Sequence, residues 1–215
     1  MGTKMAVAFS VIFMADLEKR LLQASPIQPF VSKRFIDDIF SLWKIPMKEV
    51  TDFVNFANSF HPTIKFTCEM SSDRTVFLDT EVFKGPRLTT LKTLGLQTHF
   101  KPTKTFQYTV FSSCHPFNTK RGFINWEVLR LLRTNSVKEN FETSKRDFEQ
   151  RLCERGYPLI LVHNILTEVQ FSDRKEALRN KTKQTKEILV FVTTYNPTTP
   201  NLNQRPLWGY GYFAW

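Results

Sequence analysis

The sequence predicts an α+β protein, an antiparallel sheet with helices on one face followed by a small helical module. Three observations carry that expectation. Apolar residues recur at helical spacing in two early stretches. Short segments around and after them alternate apolar and polar residues, as half-buried strands do. Beyond His115-Pro116 the pattern turns almost wholly helical.

Met5, Phe9, Ile12, Phe13 and Leu17 share one helical face, and Pro26–Phe30 breaks that helix. The expectation is an ordinary amphipathic helix. Lys33 to Trp43 reads as two short strands around a tight turn, because aspartate bonds readily to nearby backbone. Lys48 to Ser59 reads as a helix, with Val50, Phe53, Val54 and Ala57 at three-four spacing. HPTIKFTCE alternates Ile64, Phe66 and Cys68 with Lys65, Thr67 and Glu69, so it reads as a strand. TVFLDTEVF reads as another strand, with Val76, Leu78, Thr80 and Val82 opposite Phe77, Asp79, Glu81 and Phe83. GPRLTTLKTLGLQTHFKPT reads as a turn and one or two further strands.

The second half is predicted helical from Phe123 to Arg155. Arg130 and Arg133 share a face there, and Phe141, Phe148 and Leu152 form an apolar line. Gly156-Tyr157-Pro158 stops the helix, and another covers Leu159 to Gln170. Ser172 to Glu187 reads as a solvated helix or linker, VFVTTYNPTTP as a final strand, and PLWGYGYFAW as an aromatic tail. The expected regions are 1–115, 116–171 and 172–215.

The chain has 215 residues and a formal charge of +10, which favours polyanionic partners, nucleic acid first and an anionic membrane surface second. Cys68, Cys114 and Cys153 have no metal-ligand spacing and read as reduced thiols of an intracellular protein, the nucleus included. The apolar run Met5 to Ala15 is too short to span a bilayer and lacks a cleavage site. Met1-Gly2-Thr3 opens like a myristoylation signal, but Ala6 stands where Ser or Thr is expected. No membrane attachment is predicted. His61, His99, His115 and His163 are scattered, and Cys114-His115 suits no closed zinc site. Neither a nucleophile elbow nor a phosphate-binding loop occurs, which lowers hydrolase and NTPase readings.

Asp37 and Asp38 interrupt the apolar stretch SKRFIDDIFSLW. A surface Asx turn explains them. So does a divalent-cation site, since Mg²⁺ prefers carboxylate oxygens and substrate phosphates, and nucleotidyl transfer commonly uses two such ions. Successive strand side chains point to opposite faces, so a two-ion site needs the turn to redirect one aspartate and another strand to add a carboxylate.

RFIDDIFSLW resembles the aspartate hairpin of reverse transcriptases, specifically those of Penelope-like retroelements. MGTKMAVAFSVIFMADLEKRL resembles the glycine-led helix before that hairpin. HPTIKFTCE and VFLDTEV resemble the segments after it. HFKPTKT, SSCHPFNTKRGFI and RLCERGYP resemble the connection and helical thumb, in the family's order. These blocks cover about residues 1–170.

The resemblance implies an incomplete polymerase-type palm followed by a thumb-like module. Asp37 resembles the aspartate that coordinates the catalytic ions, Mg²⁺ or Mn²⁺, and Asp38 its helper. Gly2 resembles the glycine that packs near the template and incoming nucleotide. Lys65 lies where the family's palm helix returns to the sheet, and a phosphate-facing head and a solvated lysine both fit it. Arg130 and Arg133 suit phosphate contact, though a plain solvated face explains them too. Gly95 to Lys101 is placed near the primer end. The implied function is RNA-directed DNA polymerase acting on an RNA or DNA template–primer and deoxynucleotides. The alternatives are a catalytically inactive remnant that binds nucleic acid, and an unrelated basic α/β protein.

The chain departs from the family pattern at Phe35, where tyrosine is usual, over Val7-Ala8-Phe9-Ser10-Val11, where a proline and Tyr-Ala-Asn are usual, and at Lys104, where a carboxylate is usual. The fingers and the first palm strand, with the other metal-binding aspartate, are expected before Met1. Asp79 and Glu81 follow the hairpin and are expected to be structural. The tail does not carry the family's endonuclease signatures.

Overall fold

A computed structural model of the chain describes residues 5–179. Among them the fold is α+β, with helices and two small antiparallel sheets. The chain divides into two compact units. Residues 5–104 with Thr134–Asn140 form the first, and Thr105–Arg133 with 141–179 the second.

The first unit opens with α1 (Ala6–Ala24). It ends where Ser25 turns extended before Pro26. Ser25 Oγ donates to the Ile27 carbonyl at 2.7 Å, making the local turn that competes with further helix. Only Leu17 of the expected apolar face is buried, joined by Leu21 a turn later. Met5, Phe9, Ile12 and Phe13 are exposed. Residues 5–13 are apolar almost all round, so no amphipathic face selects one side for packing.

Strands β1 (Val31–Phe35) and β2 (Asp38–Leu42) form the expected hairpin, with Phe35 opposite Asp38. The loop is therefore the two residues Ile36 and Asp37. A two-residue hairpin loop needs positive φ to match the strand twist. Ile36 supplies it at +54°, a conformation that a β-branched residue adopts only under strain. Helix α2 (Met47–Phe60) follows Pro46 and buries Val50 and Ala57, and Trp43 packs on Phe53 with ring centroids 4.8 Å apart.

Residues 61–70 do not form the expected strand. The alternation is present, but the backbone finds a different partner. The Asn58 side chain donates to the Phe66 carbonyl at 3.0 Å and accepts from the Phe66 N–H, doing locally what a neighbouring strand would do. TVFLDTEVF also differs from expectation: it is two strands, β3 (Arg74–Phe77) and β4 (Thr80–Phe83). Leu78 and Asp79 make the turn, with Leu78 at φ +56°. Helix α3 (Pro86–Leu91) then leads to β5 (Gly95–Thr98), which pairs with β4.

Gly95 is dictated by its cross-strand neighbour. A Cβ there would sit 2.5 Å from the Phe83 ring. The single expected sheet is thus two sheets, of two and three strands. The outer edge of β5 is satisfied by buried Asn135 and Ser136: Thr98 N–H donates to Asn135 Oδ1 at 3.1 Å, and Leu96 N–H to Ser136 Oγ at 2.8 Å. An edge so occupied no longer templates pairing with another chain.

The second unit is helical: α4 (Phe117–Thr134), α5 (Lys138–Glu154) and α6 (Leu159–Thr167), then a 3₁₀ turn (Phe171–Asp173) and α7 (Arg174–Ala177). Its core gathers Ile124, Val128, Leu131, Leu132, Phe141, Phe148, Leu152, Val162, Ile165 and Leu166. The expected apolar line Phe141, Phe148, Leu152 is buried throughout. Helix α5 ends at Gly156, whose φ is +83°. Tyr157 N–H bonds to the Leu152 carbonyl at 3.1 Å and Gly156 N–H to the Cys153 carbonyl at 2.9 Å, the paired bonds of a Schellman cap. The expected final strand at 190–200 and the aromatic tail lie outside the described residues.

Two substitutions check this account by urea denaturation. Phe141→Ala lowers unfolding free energy by about 3–5 kcal/mol, the usual cost of emptying a buried aromatic site. Ile36→Asn raises it by about 0.5–1 kcal/mol, because asparagine accepts positive φ and relieves a left-handed strain of about 1–2 kcal/mol.

Candidate functional site

The aspartate hairpin is positioned by one side chain. Arg34 sits near the end of β1 with only 12% of its side chain exposed. Its Nε lies 2.6 Å from Glu18 Oε1 on α1. One terminal nitrogen donates to the Ile36 carbonyl in the turn at 2.9 Å, and the other to the Val11 carbonyl of α1 at 3.2 Å. The guanidinium thus ties the turn to two places on the helix. Behind the hairpin lies a half-open cavity of about 120 Å³, lined by Leu21, Ile39, Trp43, Phe53, Ala57 and Phe66 among others.

Asp37 occupies the turn and Asp38 the first position of β2, and both are exposed. Their carboxylates are the hard oxygen donors that Mg²⁺ or Mn²⁺ takes. The pair is a partial set. Among the described residues, no group of three His, Cys, Asp or Glu side chains comes together to hold a metal ion. Glu81 is engaged within its own sheet, accepting from Gln97 and lying 3.6 Å from Arg74. Asp79 forms the second hairpin's turn, and its carbonyl accepts from His99 N–H at 2.8 Å.

The basic residues singled out in the sequence have definite local roles. Lys65 is exposed on a connecting segment and not on a strand. Its ammonium donates to the Asn58 carbonyl, and to that of His61 at 3.5 Å, where α2 leaves its last carbonyls unpaired. Arg130 forms a buried pair with Glu127, Nε to Oε2 at 2.9 Å and Nη2 to Oε1 at 2.7 Å. Glu127 is 4% exposed, so this arginine neutralises a carboxylate inside the helical unit. Arg133 is exposed and donates its Nε to the Ala177 carbonyl at 2.9 Å. Gly2 lies outside the described residues. Gly95 to Lys101 includes β5, with Gly95 buried under Phe83.

Sequence reasoning missed Arg34 and Glu127. Arg34 beside Lys33 looks like any solvated basic pair. Glu127 offered a signal: it falls among Ile124, Val128 and Leu131 on the buried side of α4, three residues before Arg130.

Tyr108 packs on Phe148 and Phe123, with centroids 5.4 Å away in each case. Burial pushes its hydroxyl above the ordinary tyrosine range, and the Glu127 charge adds to this, while Arg151 and Arg130 oppose it.

The comparisons with known proteins bear on this second unit. Residues 107–167 match the family described as an animal helix-turn-helix domain. The matched stretch ends with α6 and includes α4 and α5. No curated protein and no solved structure matches the chain. No described helix is long and apolar enough to cross a membrane.

Thermal melts separate the two arginines. Arg130→Ala strands a buried carboxylate and lowers stability by about 3 kcal/mol. Arg133→Ala changes it by less than about 1 kcal/mol, as exposed polar contacts do. The tyrosine gives a pH test. Its raised value means the unfolded chain releases the proton first, so stability is full below about pH 10 and falls as pH rises above it. Tyr108→Phe makes that alkaline fall shallower.

Proposed function

We propose that this chain carries the aspartate-hairpin and helical-thumb portions of an RNA-directed DNA polymerase resembling those of Penelope-like retroelements. The carrying observation is the hairpin itself: two adjacent carboxylates at the exposed tip of a two-residue turn, with Ile36 strained at φ +54°. Backbone strain of this kind, about 1–3 kcal/mol per residue, persists where the surroundings over-determine it and clusters at functional sites. Arg34 supplies that over-determination. The ordered sequence blocks that resemble the family support the same reading. The helix-turn-helix match in the second unit is compatible with nucleic acid as the partner.

On this reading Asp37 and Asp38 hold the divalent ion, with a further carboxylate supplied from outside the described residues. The bound ion would neutralise charge on the incoming nucleotide's phosphates. The turn fixes the two carboxylates relative to the strand, and Arg34 fixes the turn relative to α1. Such positioning is what the reaction needs, since a misplacement of about 1 Å can cost roughly a hundredfold in rate. The chemistry is attack of a primer 3′ hydroxyl on the α-phosphate of a deoxynucleotide, with pyrophosphate leaving.

A second reading, nucleic-acid binding without catalysis, is favoured by the incomplete carboxylate set among the described residues.

Primer extension with Mg²⁺ or Mn²⁺ tests the choice. The polymerase reading expects extension once the chain is joined to a segment that supplies the further carboxylate, and loss of it when Asp37→Asn is made in that same protein. Equal extension by both forms sinks catalysis by the hairpin. Salt-sensitive duplex binding without extension by either form selects the binding reading.

A further inference from the structure

The cavity behind the hairpin plays no part in the polymerase reading. It lies within the first unit, between α1, the hairpin and α2, and holds about 120 Å³. An apolar cavity of about 150 Å³ stays dry and takes up benzene, so this one is close to the size of a single ring. Leu21, Leu22 and Val54 line it, with Trp43, Phe53 and Phe66. Protein interiors leave few voids of this size, because walls without partner atoms lose attraction. Ala57 is the smallest residue that α2 contributes to the lining, and it is 4% exposed. A leucine at that position would occupy part of the space and serves a helix nearly as well. The cavity is half-open, so a ligand has a way in.

The polar groups of the lining indicate what the cavity takes. Glu18 is its one charged member, and Arg34 lies 2.6 Å from that carboxylate. Ser41 Oγ accepts from Trp43 Nε1 at 2.8 Å. The Phe66 N–H and carbonyl are both bonded to the Asn58 side chain. Ser32, Thr67 and Cys68 are exposed, so water already serves them. A charged ligand would leave water for walls whose only charge is already paired, and that transfer is costly. An uncharged ring avoids that cost and gains by leaving water. Trp43 and Phe53, packed with ring centroids 4.8 Å apart, offer an aromatic occupant further edge and face contacts.

We propose that this cavity is a binding site for a small uncharged aromatic molecule, with one ring seated beside Trp43, Phe53 and Ala57. The ring lies between Leu21 of α1 and Ile39 of β2. These belong to the helix and the hairpin that Arg34 joins at the turn, so an occupant braces the same junction from behind. The inference goes beyond the polymerase reading and needs neither the hairpin carboxylates nor a divalent ion.

The test is a fluorine NMR titration of the full chain with fluorobenzene in EDTA, which holds divalent ions out of the measurement. Saturable binding is expected, with a dissociation constant of about 1 mM or tighter. Ala57→Leu weakens it by roughly tenfold or more in a chain whose melt stays cooperative. Benzoate and benzylammonium bind at least roughly tenfold more weakly than fluorobenzene. In a chain with nitrogen-labelled tryptophan, the Trp43 indole signal, assigned with Trp43→Phe, moves as fluorobenzene saturates. Absence of saturable binding overturns the proposal, as does equal binding by Ala57→Leu. A Trp43 signal that stays still during saturable binding puts the ring elsewhere and overturns it too. Either charged ring binding as tightly as fluorobenzene sinks the uncharged class. If Ala57→Leu fails to fold, Ala57→Val and the Trp43 signal decide. Asp37→Asn leaves ring binding unchanged, so failure of this inference is distinguishable from failure of the polymerase reading.

Discussion

The hairpin depends on the guanidinium of Arg34. Three partners converge on it: the Glu18 carboxylate, the Val11 carbonyl and the Ile36 carbonyl. A charge with so little exposure must be paired and hydrogen-bonded to be tolerated. Groups from α1 and from the turn hold it, Glu18 as an ion pair in which neither Arg34 Nε nor Glu18 Oε1 makes a hydrogen bond, so the turn cannot relax without freeing the terminal nitrogens. The strain at Ile36, about 1–2 kcal/mol, is smaller than the loss from breaking such a charged cluster, commonly about 3–5 kcal/mol when buried. The charged cluster therefore sets the geometry, and the backbone of Ile36 yields to it. The nearby Asp16–Arg20 pair shows the contrast: at 2.9 Å it is as short as many good contacts, yet its side chains are 54% and 62% exposed and it constrains little.

The second unit uses its basic residues internally. Arg130 neutralises Glu127, Lys120 donates to the Phe111 and Ser113 carbonyls, and Arg155 donates to the Tyr108 carbonyl. Arg121 lies 3.1 Å from Glu168. A formal charge of +10 therefore overstates the footprint open to a polyanion. Burial of Glu127 requires the Arg130 guanidinium beside it. Basic side chains that close helix ends and loops hold the unit together, because unpaired carbonyls out of water cost as much as lost hydrogen bonds.

What was legible in the sequence follows from how local the determining interactions are. The helices of the second unit were readable because their apolar spacing and the stop at Gly156-Tyr157-Pro158 are local signals. The first hairpin was readable because Asp37 and Asp38 interrupt an apolar run. The second hairpin was not, because TVFLDTEVF alternates through its own turn. A comparison of Phe77-Leu78-Asp79-Thr80 with Phe35-Ile36-Asp37-Asp38 exposes the repeat: an aromatic, an aliphatic residue at positive φ, then aspartate. The missing strand at 61–70 failed for the opposite reason. Its alternation is real, but Asn58, eight residues away in a helix, takes the backbone groups a strand neighbour would have used. Burial of Glu127 and Arg34 is a tertiary outcome that residue type alone does not encode. The exposure of Met5, Phe9, Ile12 and Phe13 likewise reflects what packs on α1, which spacing along α1 cannot report.

Electrostatics explains why the aspartates stand where they do. Two unit charges 4 Å apart repel by about 1 kcal/mol in water, but by about 4 kcal/mol at an effective dielectric of 20. Adjacent carboxylates are therefore tolerated on an exposed tip and costly in a core. The fold keeps them exposed and obtains order from backbone strain and Arg34 instead of from burying the side chains. A third carboxylate brought to the tip would raise the repulsion further, and only a cation would offset it. On the proposed reading the free hairpin is thus held as the half of a metal site that water can stabilise unaided. Its partner carboxylate and its ion would have to arrive together.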